Sequence, residues 1–499
     1  MMVKQHGTTR RLRRSRLLAG LLSAAIALSL SGCSLGGDVE NLIRPPRSTG
    51  EQQEIQEALE NAIGNAGKGG YVLKYPKTGE YRSAIILEDL NGDGEEEALA
   101  FYRIGAENSG VHLNLLQKSG DKWLSVSDVE GASTDVEEVF FGDLDGDGFL
   151  EMVVGWSIYT VRDKQMTLYS LAGNRLTKWY EGMYSSAVMT DMTGKGRDDL
   201  LLLQTGSGDQ PPTAVLWSAE KNEATAETVL TEMGSAALDQ TIQQFLSIRI
   251  GRLSDTVRGV FADAASSAGG RLTELLYWDG SQLLAPFYDE TTGLTRGTYR
   301  EYNIPAMDVD GDGQIEWPSC QLFPDQETLS PARDPLCRTD WMSLNFEDMT
   351  TFREFSSVVN AADGYLLRLE DGWDGKVSAS LNREAGTLSL YDISSGARAE
   401  ILSLRTTPTR AWTGTTTVGA TALAAVSKTS PAGGKAEADT AADSTDGLAT
   451  AEKENGVKHI YRLLEKRDDG VRYEVWFDSR EPFSLNMERI RYMFTILNT

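Results

Sequence analysis

Hydrophobic and polar positions alternate in short bursts along most of this chain, and clusters of Gly, Asn and Asp end each burst after a few residues. Segments such as "VHLNLLQ", "KWLSVSDV", "QMTLYSLAG", "RLTKWYEG", "TAVLWSA" and "LTELLYWDGSQLLAPFYD" have the period and punctuation of antiparallel strands. "EALAFY" and "EMVVGW" are apolar throughout and rich in aromatic or β-branched residues, which predicts buried strands. Trp156, Trp217 and Trp278 recur within these patterns and are expected in the interior. Helical spacing is confined to two places. "GEQQEIQEALENAIGN" sets Ile55, Leu59 and Ile63 on one face, and "NMERIRYMFTIL" predicts a terminal helix. From about residue 360 the strands "GYLLRLEDGWDGKVSASLNREAGTLSLYD" and "AEILSLRTTPTRAW" lead into Val426–Gly456, which has almost no large apolar side chains. Such a segment cannot bury enough surface to offset ordering, so a disordered insertion is expected there.

Acids interrupt this pattern at fixed spacing. "FFGDLDGDGFLEMVVGW" places Asp143, Asp145 and Asp147 at alternate positions, with Glu151 at the ninth. Crowded carboxylates repel one another unless a hard cation sits among them, and calcium takes six to eight such oxygens. The pattern repeats as Asp89, Asn91, Asp93 and Glu97, and as Asp308, Asp310, Asp312 and Glu316. A damaged copy carries Asp191, Thr193, Lys195 and Asp199, and a worn fifth copy has Arg252 at the first position. Successive starts are 54, 48, 61 and 56 residues apart, a period that fits one all-β unit per repeat. An EF-hand is excluded, because it needs a twelfth-position Glu where this chain has Ala100, Val154 and Ser319, and helices where it has strands.

Strand, nine-residue acidic loop and strand together resemble the FG-GAP or VCBS repeats of integrin-alpha-like β-propellers, over about residues 68–358. The resemblance implies an all-β propeller of about five blades, and at most seven. It also implies calcium ligands at loop positions one, three, five and nine, with a backbone carbonyl from position seven, here Glu95, Phe149 and Gln314. In that family the ions stiffen a hairpin within a blade, away from the ligand-binding face. About three structural calcium ions are therefore expected, in the loops starting at Asp89, Asp143 and Asp308. In the damaged copy the Lys195 ammonium is expected between Asp191 and Asp199, replacing the cation. Residues 360–499 are expected to form a small α+β domain interrupted by the insertion 426–456.

At the amino end, Lys4 and five arginines precede the apolar run Leu17–Leu30, which is too short to span a bilayer and has the form of a signal peptide. The following "LSGC" resembles a bacterial lipobox, which implies cleavage after residue 32 and a lipid on Cys33. Residues 33–67 then form a tether and a short amphipathic helix. Losing residues 1–32 removes six basic and no acidic residues, so the formal charge of -25 becomes -31, which opposes a nucleic-acid partner. Cys320 and Cys337 either close as a disulfide or stand as separate buried thiols.

No nucleophile elbow, H-E-x-x-H, C-x-x-C or phosphate loop is present. His112 and His459 fall in strand-like surroundings and are expected to be structural. These features predict a lipid-anchored, extracytoplasmic, calcium-stabilised interaction module whose partner is an envelope protein or a glycan. An extracytoplasmic polysaccharide hydrolase or lyase, and an accessory subunit of an envelope complex, are the alternatives.

Overall fold

The computed structural model describes residues 49–64, 70–105, 109–157, 164–173, 175–206, 210–221, 228–327, 336–407, 451–454 and 457–497. The signal segment 1–32, Cys33 and the tether ahead of residue 49 lie outside the described residues. Two compact units divide the chain, Met1–Ala58 and Leu59–Thr499. Helix α1, Thr49–Ile63, runs across the division, and Ile55, Leu59 and Ile63 are its buried positions.

The described residues of the second unit are all-β, with one further α-helix, α2 at Met487–Met493, and a 3-10 turn at Asp371–Trp373. Six antiparallel sheets of four or five strands follow one another along the chain, beside two small two-stranded ones. Sheet one holds Tyr71–Lys74, Ile85–Glu88, Glu97–Ile104, His112–Ser119 and Lys122–Glu130. Its first two strands share one edge of the third. Sheet two holds Val136–Gly142, Glu151–Trp156, Lys164–Ala172 and Arg175–Tyr184. Sheet three holds Ser186–Thr190, Asp199–Gln204, Thr213–Lys221 and Thr228–Ala237. Sheet four runs from Ile242–Arg252 through Arg258–Ser266 and Arg271–Trp278 to Leu283–Leu284. Sheet five comprises Trp317–Gln321, Arg338–Asn345, Thr350–Asn360, Tyr365–Leu369 and Phe494–Ile496. Sheet six comprises Val377–Asn382, Thr387–Asp392, Ala399–Thr407, Arg472–Phe477 and Arg462–Lys466.

Successive sheets share their cores, which explains the unbroken apolar runs. Asp199–Gln204 is the clearest case, since a strand turns alternate side chains to opposite faces. Leu200 and Leu202 pack with Val153, Met166 and Leu168 of sheet two, whereas Leu201 and Leu203 pack with Val260, Ala262 and Leu272 of sheet four. All four leucines are buried, each contributing about 1.5–3 kcal/mol. Met152, Val154 and Trp156 meet Leu99 and Phe101 of sheet one in the same way, and Phe261 and Leu275 meet Trp317 and Leu344 of sheet five. Trp156 is wholly buried, Trp278 lies in the core between sheets three and four, and Trp217 packs on the core between sheets two and three.

The carboxyl-terminal third departs from its expected separate α+β organisation. The expected boundary at 358/360 falls inside the strand Thr350–Asn360, and Phe494–Ile496 returns to pair with Tyr365–Leu367. Val358, Tyr365 and Leu367 of sheet five share one core with Val377, Leu388, Leu402 and Val475 of sheet six. The row of sheets therefore continues past residue 360, where the acidic repeat that marked it has stopped. The terminal helix is shorter than its pattern suggested. Asn486 caps it by accepting from the Arg489 amide at 3.0 Å, and Phe494 leaves it as a strand. Within the insertion, residues 426–450 and 455–456 lie outside the described residues. Ala451–Glu454 is a strand paired with Val457–Ile460, so the expected disorder does not reach this end.

Candidate metal centres

Each acidic loop occupies the same joint of its sheet. Residues 89–97, 143–151 and 191–199 each link an edge strand to the buried strand beside it. Residues 308–316 do the same through the bridge Met307–Glu316, just before Trp317–Gln321. The loops turn on glycines at positions four and six, which all have positive φ: Gly92 and Gly94, Gly146 and Gly148, Gly194 and Gly196, Gly311 and Gly313. That G-x-G spacing marks all four loops, the damaged one included.

In the second loop every acid is held by backbone N–H groups. Asp143 accepts from Gly146 at 2.7 Å and Gly148 at 3.1 Å, Asp145 from Asp147 at 3.2 Å, and Asp147 from Phe149 at 2.8 Å. Glu151 reaches back from the buried strand to accept the Leu144 amide at 2.9 Å. The loop 308–316 repeats this scheme. Asp308 accepts from Gly311 and Gly313, Asp310 from Asp312, Asp312 from the amide and side chain of Gln314, and Glu316 from Val309 at 2.9 Å. Asp143, Asp145 and Glu151 bring oxygens within 4.8 Å of one another, as do Asp308, Asp310 and Glu316.

The ninth-position acids are the electrostatic centre of these sites. Glu151 and Glu316 are 2% and 1% exposed. Burial pushes Glu151 up to about 8 and Glu316 up to about 9, against the pull of their backbone N–H partners, and the aspartates of each loop add repulsion. Oxygen-only donors, backbone preorganisation and this uncompensated negative charge fit a hard divalent cation, which would hold every acid ionised.

The first loop departs from this scheme, most of all at Asn91. Asp89 accepts from Asp93 and Gly94, and Asp93 from Glu95. Asn91 accepts from Asp93 but also donates its amide to Glu97 at 2.8 Å, where the loops 143–151 and 308–316 set two carboxylates near each other. Glu97 also accepts the Leu90 amide, and burial raises it, as it does its counterparts. Cation binding here has to replace the Asn91–Glu97 bond.

The third loop corrects an expectation. Lys195 does not place its ammonium between Asp191 and Asp199. It pairs with Glu220 on the strand Thr213–Lys221, and Arg197 donates to the same carboxylate at 3.1 Å. Arg252, at the worn copy, reaches sideways. Its amide donates to the Gly313 carbonyl at 2.8 Å and its guanidinium to the Asp312 carbonyl at 3.0 Å, in the neighbouring loop.

Cys320 and Cys337 are joined as a disulfide with Cα atoms 5.9 Å apart. Two polar clusters had no sequence signal, because their members come from different strands and meet only when those strands pair. His112, Tyr102 and Asn114 converge on Asp128 at 2.9, 2.6 and 2.7 Å. Buried Arg300 bonds Asp263 at 2.6 Å, and Glu274, wholly buried, accepts from Asp239 and Thr295. His459 is buried and stacks on Trp476.

No protein-family model matches the chain, and no curated protein sequence does. Among solved structures, the exotype rhamnogalacturonan lyase YesX is 12% identical with a TM-score of 0.26, over 66% of this chain and 62% of YesX. The chain thus spans less than two thirds of that enzyme. A protein from Lactobacillus plantarum is 10% identical with a TM-score of 0.28, over 65% of this chain and 85% of its own. Saccharomyces cerevisiae Sqt1 is 9% identical with a TM-score of 0.26, over 77% and 84%. Scores this low leave these likenesses too weak to assign a fold family or an activity.

Proposed function

We propose that the chain is a lipid-anchored, extracytoplasmic β-propeller of the FG-GAP/VCBS type, stiffened by three calcium ions, that serves as an interaction module for an envelope protein or a glycan. The observation carrying this reading is the pair of convergent acid groups, Asp143, Asp145 and Glu151, and Asp308, Asp310 and Glu316, each at a sheet joint. Support for the propeller comes from six consecutive antiparallel sheets whose neighbours share cores in chain order. Each acidic loop is one joint of one sheet, so an ion there fixes an edge strand to a buried one. That is a scaffolding role, with the acids turned to the ion and held by backbone rather than left free for proton transfer.

Four measurements test the reading. Native mass spectrometry of the 34–499 fragment in millimolar calcium should find three tightly held ions, and Asp145→Ala should remove one. Melting should rise with calcium, because binding only the folded state stabilises it by mass action. No bound ion would refute the calcium reading. Cys33→Ala should abolish fatty-acid labelling, and unchanged labelling would refute the anchor. Capture of one envelope partner by the fragment, weakened when calcium is chelated, would identify what the module binds.

A further inference from the structure

The damaged loop keeps the turn and two of the acids of the intact ones. Asp191 is held as in the intact loops, with its two oxygens accepting from Lys195 at 3.0 Å and Gly196 at 2.9 Å. Asp199 takes the place of the ninth-position Glu, and one of its oxygens accepts the Met192 amide at 3.0 Å and the Thr193 amide at 2.8 Å. Its other oxygen, Oδ1, is buried with no hydrogen-bond partner, and so is the Thr193 hydroxyl oxygen. Asp199 as a whole is 0% exposed. A carboxylate oxygen in that position is costly unless something positive or hydrogen-donating meets it.

Lysine 195 is the residue expected to meet it, and it is elsewhere. Glu220 draws its ammonium outward, with Arg197 on the same carboxylate. The loop backbone still turns on Gly194 and Gly196 with φ of 71° and 75°, close to the 75° and 88° of Gly146 and Gly148. The remaining donors are hard oxygens only: Asp191, Thr193 and Asp199.

We infer that the loop 191–199 binds a fourth divalent cation, of the calcium class, through Asp191, the Thr193 hydroxyl and Asp199 Oδ1, with the Lys195–Glu220 pair keeping the seat open. This rests on the calcium reading of the intact loops. Two carboxylates, Asp191 and Asp199, stand at the ligand positions here against the four of residues 143–151, so the site is weaker, by about tenfold or more, since ligand charge sets calcium affinity.

The test is a calcium titration of the chelator-stripped full chain in detergent, with ions counted by native mass spectrometry and affinities taken from calorimetry. Four ions are expected, the last binding about tenfold more weakly than the others. Asp199→Asn should leave three ions with the three tight sites unchanged. Thr193→Val, which keeps the side-chain volume, should weaken only the fourth by about tenfold, and keeps the proposal testable if Asp199→Asn fails to fold. Lys195→Ala should tighten the fourth site severalfold, and Glu220→Gln, which frees the lysine, should weaken it. Three ions at saturation would overturn this inference alone and leave a bound water on Asp199. A fourth ion that survives both Asp199→Asn and Thr193→Val would also overturn it. No ion at any loop would overturn it together with the calcium reading.

Discussion

Replacing Glu274 by Gln should remove a pH dependence of stability that the wild type carries between about pH 4.5 and 7. Glu274 sits in the buried strand Arg271–Trp278 with 0% exposure. One oxygen accepts from the Asp239 amide at 2.8 Å and the Thr295 hydroxyl at 2.7 Å, and the other has no partner. Burial, opposed by those two donors and reinforced by the Asp239 carboxylate, pushes the group from 4.5 up to about 7. The folded state therefore holds this proton at pH values where the unfolded chain has released it. Stability from this group is complete below the unfolded value and is lost as pH rises through the folded one. At 1.36 kcal/mol per unit, the loss is about 3 kcal/mol by pH 8. Glutamine keeps the oxygen that accepts from Asp239 and Thr295 and does not titrate, so the variant should gain on wild type by about that amount between pH 4.5 and pH 8. The assay is urea unfolding of both proteins from pH 4.5 to 8 at one fixed calcium concentration, reading only the difference between them. Parallel curves, with no gap opening toward pH 8, would refute the reasoning.

Three other perturbations probe the same frame. Arg300→Met should cost about 3–5 kcal/mol, because Asp263 is then left charged in the interior; a loss under about 1 kcal/mol in urea unfolding would contradict the pairing. Gly131→Ala should cost about 1–3 kcal/mol and shift tryptophan fluorescence, because its methyl would lie 2.1 Å from the ring of fully buried Trp156; unchanged emission and midpoint would argue against that contact. Reducing the Cys320–Cys337 bond, which joins residues 17 apart, should lower stability by about 3 kcal/mol, and no shift of the unfolding midpoint with reductant would count against it.

What the sequence made legible was local. Carboxylates at alternate positions between two apolar bursts are all near neighbours in the chain, so the joints at 89–97, 143–151 and 308–316 could be read directly. The third joint was legible too, but not its chemistry. Lys195 looked like a plug because its only visible partners were the aspartates beside it, and Glu220 enters only when the strand Thr213–Lys221 pairs alongside. Asn91 was read as a ligand equivalent to aspartate, whereas its amide lets it bond Glu97 directly. Sheet six escaped for a different reason. Its strands are legible one by one, but it contains no acidic loop, and Ala399–Thr407 pairs with Arg472–Phe477 across a long intervening segment, so nothing local joins it to the row. Buried ion pairs such as Arg300–Asp263 and Arg405–Glu474 join residues 37 and 69 apart, and no short-range pattern encodes them.

The joints are also connected to one another, which bears on what an ion does once bound. Leu150 in the second loop donates to the Leu90 carbonyl of the first at 2.8 Å, and Asp198 in the third donates to the Asp143 carbonyl of the second at 2.8 Å. Arg252 closes the same kind of link to Gly313. Gly92 lies so close to Gly148 that a methyl on it would stand 3.0 Å from the Gly148 carbonyl. An ion that fixes residues 143–151 therefore also fixes one acceptor and one donor used by its neighbours. The apolar cores run the same way, since Leu200 and Leu201 belong to different cores yet adjoin in one strand that begins at Asp199. Loop and core are thus coupled in series along the row of sheets, and an ion bound at one loop would act on that series. The stabilisation from one site is spread over two interfaces rather than confined to its own hairpin, so losing a central loop such as 143–151 should loosen more of the chain than losing 308–316.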